Sequence, residues 1–145
     1  MVSVVEFAAR LDGSQEVPPV ATPAEGRAHL FFIDRPDKPD LLLVLLSVRN
    51  TRGVFAAHIH LGRPGVNGPI VMNLYGPTDP VDIGPETQIV NRAFTWADLV
   101  GPLAGRPLSD LLQNMLAGNA YVNVHTVQHF EGEIRGQIFL ARHGR

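Results

Sequence analysis

The chain has 145 residues, of which 45% are apolar and 18% charged, enough for one domain with its own core and unlike a disordered chain. A net charge of −2 and the scatter of Arg10, Arg27, Arg35, Lys38, Arg49, Arg52 and Arg63 leave no basic stripe for a nucleic-acid backbone. The absence of cysteine excludes thiolate metal sites, disulfides and cysteine nucleophiles, and the longest apolar run, 41–46, is far too short for a transmembrane segment.

Proline and glycine recur along the chain and separate short apolar segments, the pattern of many short strands. In chain order, strands are predicted at 4–11, 26–34, 40–49, 53–60, 69–74, 86–94, 119–125 and 133–141. The N-terminal stretch alternates like a strand and lacks the basic start and small-residue cleavage site of a signal peptide. The compartment therefore stays open between the cytoplasm and export with a leader already removed. The continuous apolar run 41–46 is expected of a strand buried on both faces. Thr95-Trp96-Ala97-Asp98 reads as a capping box with Asp in place of Glu, opening one or two helical turns. Residues 109–117 place Leu111, Leu112, Met115 and Leu116 at helical spacing, with Gly118 as the residue that ends the helix. The expected fold is one all-β domain over residues 1–145. It is an antiparallel Greek-key β-sandwich or barrel with one or two short helices in a loop before the penultimate strand.

Six histidines are present. His58-Ile59-His60 closes a predicted strand, and residues two apart on a strand face the same way, about 6–7 Å apart. His125 sits at the end of a later strand, on the face shared with Asn123, and His129 follows in a turn. Imidazoles from two strand ends form a donor set that suits copper or zinc, with no thiol and no required carboxylate. The candidate metal ligands are therefore His58, His60, His125 and His129. Copper is preferred because it heads the affinity order for nitrogen donors, and zinc with an open water position is the alternative. His29 has no partner in sequence, and His143 is expected in a frayed tail. Asn123, Thr126 and Glu133 are candidate partners that would orient the ligands.

Arg135 follows His125 by a short turn and is the candidate catalytic residue, steering a small anion toward the metal. The structural alternative is an ion pair with Glu133 or Glu16. The Gly-rich segment 62–68 lacks the Lys-Ser/Thr of a phosphate loop and reads as a turn. No serine lies in a nucleophile-elbow context.

Several blocks resemble one family. Leu11-Asp12-Gly13-Ser14-Gln15-Glu16-Val17-Pro18-Pro19-Val20 is similar to the opening motif of CHRD (chordin) domains. Ala57-His58-Ile59-His60-Leu61-Gly62, followed by Gly65-Val66-Asn67-Gly68-Pro69, resembles the central motif. The segment 117–126 and Gly132-Glu133-Ile134-Arg135-Gly136-Gln137 resemble the closing ones. The resemblance implies a β-sandwich or barrel module of chordin-type extracellular and microbial proteins, secreted or periplasmic, without a settled biochemical activity. It also implies that the arm around Gln15 and Glu16 locks the first strand to the last, through bonds to Arg135 and to loop backbone. A looser likeness, of architecture and spacing alone, is to copper-zinc superoxide dismutase.

Three functional readings follow. The first is a copper-binding domain with redox activity toward a small anion such as superoxide. The second is a non-catalytic protein-binding or scaffold module that presents 63–69 and 75–85 to a partner not identified by sequence. The third is a zinc hydrolase with Glu133 as general base.

Overall fold

The computed structural model describes residues 1–143, and side chains for 1–141. Ten strands form one antiparallel sheet: β1 (Ser3–Asp12), β2 (Glu25–Asp34), β3 (Leu41–Arg49), β4 (Thr51–Leu61), β5 (Ile70–Tyr75), β6 (Val81–Ile83), β7 (Thr87–Phe94), β8 (Ala120–Thr126), β9 (Ile134–Gln137) and β10 (Phe139–His143). The order is β5-β4-β8-β9-β1-β2-β3-β7, with β10 on β1 and β6 on β4. The sheet curls until its two ends nearly meet. The segment leaving β7 crosses to β5, where Val100 N–H donates to Val71 O at 2.8 Å and Leu99 bridges to Met72. The all-β barrel expected from sequence is thus present, nearly closed. Among the described residues no helix is long and apolar enough to cross a membrane.

Inward side chains of alternate strand positions fill the barrel, among them Phe7, Leu30, Leu42, Leu46, Ile59, Phe94, Val122 and Ile134. The capping box at Thr95 is formed on both sides and opens a single 3-10 turn. The one α-helix among the described residues, α1 (Leu108–Leu116), presents Leu111 and Met115 to the core.

Three expectations change. The run 41–46 is buried on one face: Leu42, Val44 and Leu46 are fully enclosed, whereas Leu41, Leu43 and Leu45 are half-buried. The reason is the antiparallel context, which leaves the outer face of β3 open beside Phe31 and Ile33 of β2. The predicted strand 133–141 divides at Ile138, which turns inward and donates to Ala120 O at 3.0 Å. Its first half pairs with β8 and its second with β1, because β1 is long enough to carry two partners along one edge. His143, expected in a frayed tail, lies within β10 with its backbone paired to Val5. The three-residue β6 has no prediction, being too short to show alternation.

β4, β8 and β9 place the chemistry. Their core-facing residues include Ala57, Ile59, Val122, Val124 and Ile134, all fully buried. The opposite face carries His58, His60, Tyr121, Asn123, His125, Glu133 and Arg135, and most of these are also buried. The loop segments around 13–20, 62–69 and 127–132 hydrogen-bond to this face and to its edges.

The one-sided burial of β3 has a measurable consequence. Leu42→Ala should cost about 2–5 kcal/mol of stability in urea unfolding, because it opens a cavity in the core. Leu43→Ala, one residue along on the open face, should cost about 1 kcal/mol. Equal losses would mean that both faces are packed.

Candidate metal centre

The register of β4 against β8 builds the site. His58 lies opposite Asn123, His60 opposite Tyr121, and Ala56 opposite His125. His125 is therefore the diagonal neighbour of His58, a separation that large side chains span. The Ala56 methyl leaves the intervening space free. His58 Nδ1 and His125 Nε2 come within 3.0 Å, and ligand atoms of His58, His60 and His125 all lie within 4.8 Å of one another. Two nitrogens on one ion stand at most roughly 4 Å apart, so small side-chain rotations would close the set on a single metal.

Backbone carbonyls fix two of the rings. His60 Nδ1–H donates to Gly68 O at 2.8 Å. This leaves the Nε2 lone pair of His60 buried and without a partner. His125 Nδ1–H donates to Phe130 O at 2.8 Å, so its Nε2 is also an acceptor. The short contact to His125 is then a donation from His58 Nδ1–H, and coordination at that nitrogen would require the other tautomer of His58, with the proton on Nε2. Each carbonyl depends on a tight loop. At Gly68 a Cβ would lie 1.6 Å from Leu61 O, so only glycine lets the loop approach β4 this closely. The loop that offers Phe130 O is closed by Gly132 N–H donating to His129 O at 3.0 Å and by Thr126 Oγ1 accepting from His129 N–H at 3.1 Å.

Aromatic rings complete the walls. Tyr121 stacks on His60 at 4.8 Å, nearly parallel at 9°. Phe55 tilts toward His125 at 6.1 Å and stacks on Phe130 at 5.1 Å.

Desolvation keeps the imidazoles neutral. Burial, then the neighbouring rings of His125 and His60, lowers the His58 pKa to about 4. Burial also lowers those of His60 and His125, against the opposing effect of their bonds to backbone carbonyls. Neutral imidazole is the form that binds a metal.

The remaining candidates fall elsewhere. His129 is not part of the three-histidine group; it lines a cleft between its own turn and the arm from Glu16 to Ala21. Arg135 is 1% exposed. Its guanidinium lies 3.4 Å above the Tyr121 ring and donates to Arg63 O at 2.9 Å, with longer contacts of 3.4 Å to Asn67 Oδ1 and Gln137 Oε1. Neither expected ion pair forms: no carboxylate among the described residues approaches Arg135 within 4.0 Å. Glu133 is committed to the hydroxyls of Thr126 and Thr22, at 2.7 and 2.5 Å, which also leaves no free carboxylate oxygen for a hydrolytic base. Glu16 is buried with one oxygen unpartnered, and burial pushes its pKa up to about 7 against the pull of Arg135. The lock between first and last strands is instead made by Gln15, whose Oε1 accepts from Gln137 N–H at 3.0 Å and whose Nε2 donates to Arg10 O at 2.7 Å.

Asn123 lies beside the His60 ring and interacts with it through its side chain, whereas Thr126 and Glu133 do not orient the ligands directly. Thr126 and Glu133 shape the turn, and the carbonyls of Gly68 and Phe130 hold the rings. A carbonyl donated by a loop leaves no residue-type signal in the sequence. The Tyr121 contact was within reach of sequence reasoning, because Tyr121 shares the face of Asn123 and His125.

The lowered histidine pKa values tie stability to pH. A group whose folded pKa lies below its unfolded value binds fewer protons when folded, so stability falls as pH drops through that window. For His58 the window runs from about 6.5 down to about 4. Urea unfolding of the metal-free protein should show a loss between pH 7 and pH 5 that exceeds that of His58→Gln by about 1 kcal/mol, allowing for partial solvent screening. An identical pH dependence in the two proteins would show that burial does not hold this ring neutral.

Residues 7–138 match the family model described as CHRD domain. No curated protein and no solved structure matches the chain. The motifs that suggested the family and the family model agree along almost the whole sequence, and the chain belongs to the CHRD domain family.

Proposed function

We propose that this domain binds a metal ion, copper before zinc, through His58 Nδ1, His60 Nε2 and His125 Nε2, and that the loaded centre reacts with a small anion such as superoxide. One observation carries the reading: a buried imidazole nitrogen, His60 Nε2, has no partner, and two other ring nitrogens converge beside it. A buried acceptor left unpaired costs about 1–3 kcal/mol, and an ion would satisfy it. The donor set is nitrogen only, which ranks copper first.

The chain's own residues do the rest. Gly68 and Phe130 carbonyls hold His60 and His125 in the tautomer that directs Nε2 inward. To bind an ion through Nδ1, His58 would carry its proton on Nε2 instead, and the ring would remain a neutral donor. The site retains an open side, since His58 is only partly buried. Copper supplies a one-electron change of oxidation state. Arg135, behind the Tyr121 ring, adds positive potential to this part of the sheet. His129 stays outside the ligand set and serves the turn.

The test is direct. Protein purified without chelator and mixed with copper(II) should give a paramagnetic resonance spectrum of nitrogen coordination. At a hundredfold excess over the dissociation constant the fold should gain about 2.7 kcal/mol. His58→Ala, His60→Ala and His125→Ala should each weaken binding at least tenfold, and His129→Ala should leave it unchanged. No spectrum and no thermal shift with copper would overturn the proposal, and binding of zinc alone would move the assignment to zinc.

A further inference from the structure

Arg135 and His60 stand on either side of one aromatic ring. Tyr121 sits on β8 with His60 across from it on β4 and Gln137 across from it on β9, two residues beyond Arg135. Its ring stacks on His60 at 4.8 Å and carries the guanidinium at 3.4 Å. Arg135 is thus separated from the histidine centre by the thickness of a tyrosine, and at 1% exposure it presents nothing to solvent. Every hydrogen bond it makes is to a neutral group.

We propose that Arg135 is a positioning residue that acts on the centre through Tyr121, biasing a bound copper ion toward its lower oxidation state rather than docking the anion. The inference rests on the copper reading above. An unpaired cation buried in low dielectric, roughly 8 Å from the His60 ring along the stack, repels a doubly charged ion more than a singly charged one. The charged and titratable groups around this cation are few. Tyr121 lies against the guanidinium, Glu133 is held by two threonines, Glu16 is, among the described residues, the carboxylate that pulls on Arg135, and His60 lies beyond the ring.

The experiment measures copper(I) and copper(II) affinities by competition with chelators of known strength. It compares the wild type, Arg135→Gln, Arg135→Lys and Glu16→Gln, each checked for a cooperative melt. The ratio of copper(I) to copper(II) affinity should fall roughly tenfold in Arg135→Gln and return toward the wild-type value in Arg135→Lys. In Glu16→Gln, which removes the opposing carboxylate, it should rise by a smaller factor at pH 8. If Arg135→Gln does not fold, the Glu16→Gln shift decides. An unchanged ratio in the folded variants, or equal changes in Gln and Lys at position 135, would overturn the assignment while leaving the metal site standing. Failure of the wild type to bind either ion would overturn the metal reading and this assignment with it.

Discussion

The pairing register of β4 on β8 is the constraint from which the site follows. With Ala56 opposite His125, the first histidine of the H-x-H pair has the later histidine on its diagonal. Side chains alternate with a period of two, so a slip of one residue would turn His58 and His60 into the barrel and Ile59 out to the loops. The apolar face prevents that slip. Ala57, Ile59, Val122 and Val124 are fully enclosed, and enclosing each branched side chain contributes about 1.5–3 kcal/mol. The histidines are thus held in place by residues on the other side of the sheet, which never touch them.

The outer face of these strands is buried under loops, although an antiparallel barrel can leave that face to solvent. A polar layer in that position is stabilised only where each group finds a partner. Gln15 ties the N-terminal arm to β9, and Thr22 and Thr126 hold Glu133 from two directions. Gly132 passes so near Glu16 and Asn123 that a Cβ would come within 3 Å of both side chains. The arm, the turn and β9 therefore form one unit, and the carbonyl that orients His125 belongs to it. Three buried side-chain polar atoms remain without partners in the described residues: Glu16 Oε2, His60 Nε2 and Asn123 Oδ1. All three belong to this layer and none to the barrel core, and a buried group left unsatisfied in this way calls for a partner such as a water or an ion.

Much of this was legible in the sequence, and the misses have physical causes. Strand positions came from apolar alternation and from the turns that interrupt it, and the meeting of His58, His60 and His125 came from counting faces along two strands. The burial of β3 was misread because a run of leucines looks the same whether its outer face is covered by a second layer or merely half-shielded by Phe31 and Ile33. The division at Ile138 depends on β1 offering one edge to two partners, a tertiary fact with no local signal. Arg135 was placed near the histidines correctly in sequence but on the far side of Tyr121 in space, because nearness along neighbouring strands does not reveal what stands between. Its ion-pair partners were named from charge alone, while the groups that hold it are the Arg63 carbonyl and two amide side chains.

Under the proposed function, charge balance would separate this centre from a structural metal site. A structural zinc is enclosed by four ligands, commonly with thiolates that cancel its charge. Here the converging groups are three neutral imidazoles, with burial lowering every one of their pKa values. Among the described residues no carboxylate joins them. A divalent ion held so would keep its full positive charge in a partly desolvated setting, with a guanidinium one ring away adding to it. Two stable outcomes exist for such an ion: it takes up an anion, or it accepts an electron and lowers its own charge. Both require an open side, and the partly exposed edge of His58 supplies one. Under the copper reading, the same electrostatics that would make the site a poor structural anchor would suit it to a small anionic reactant.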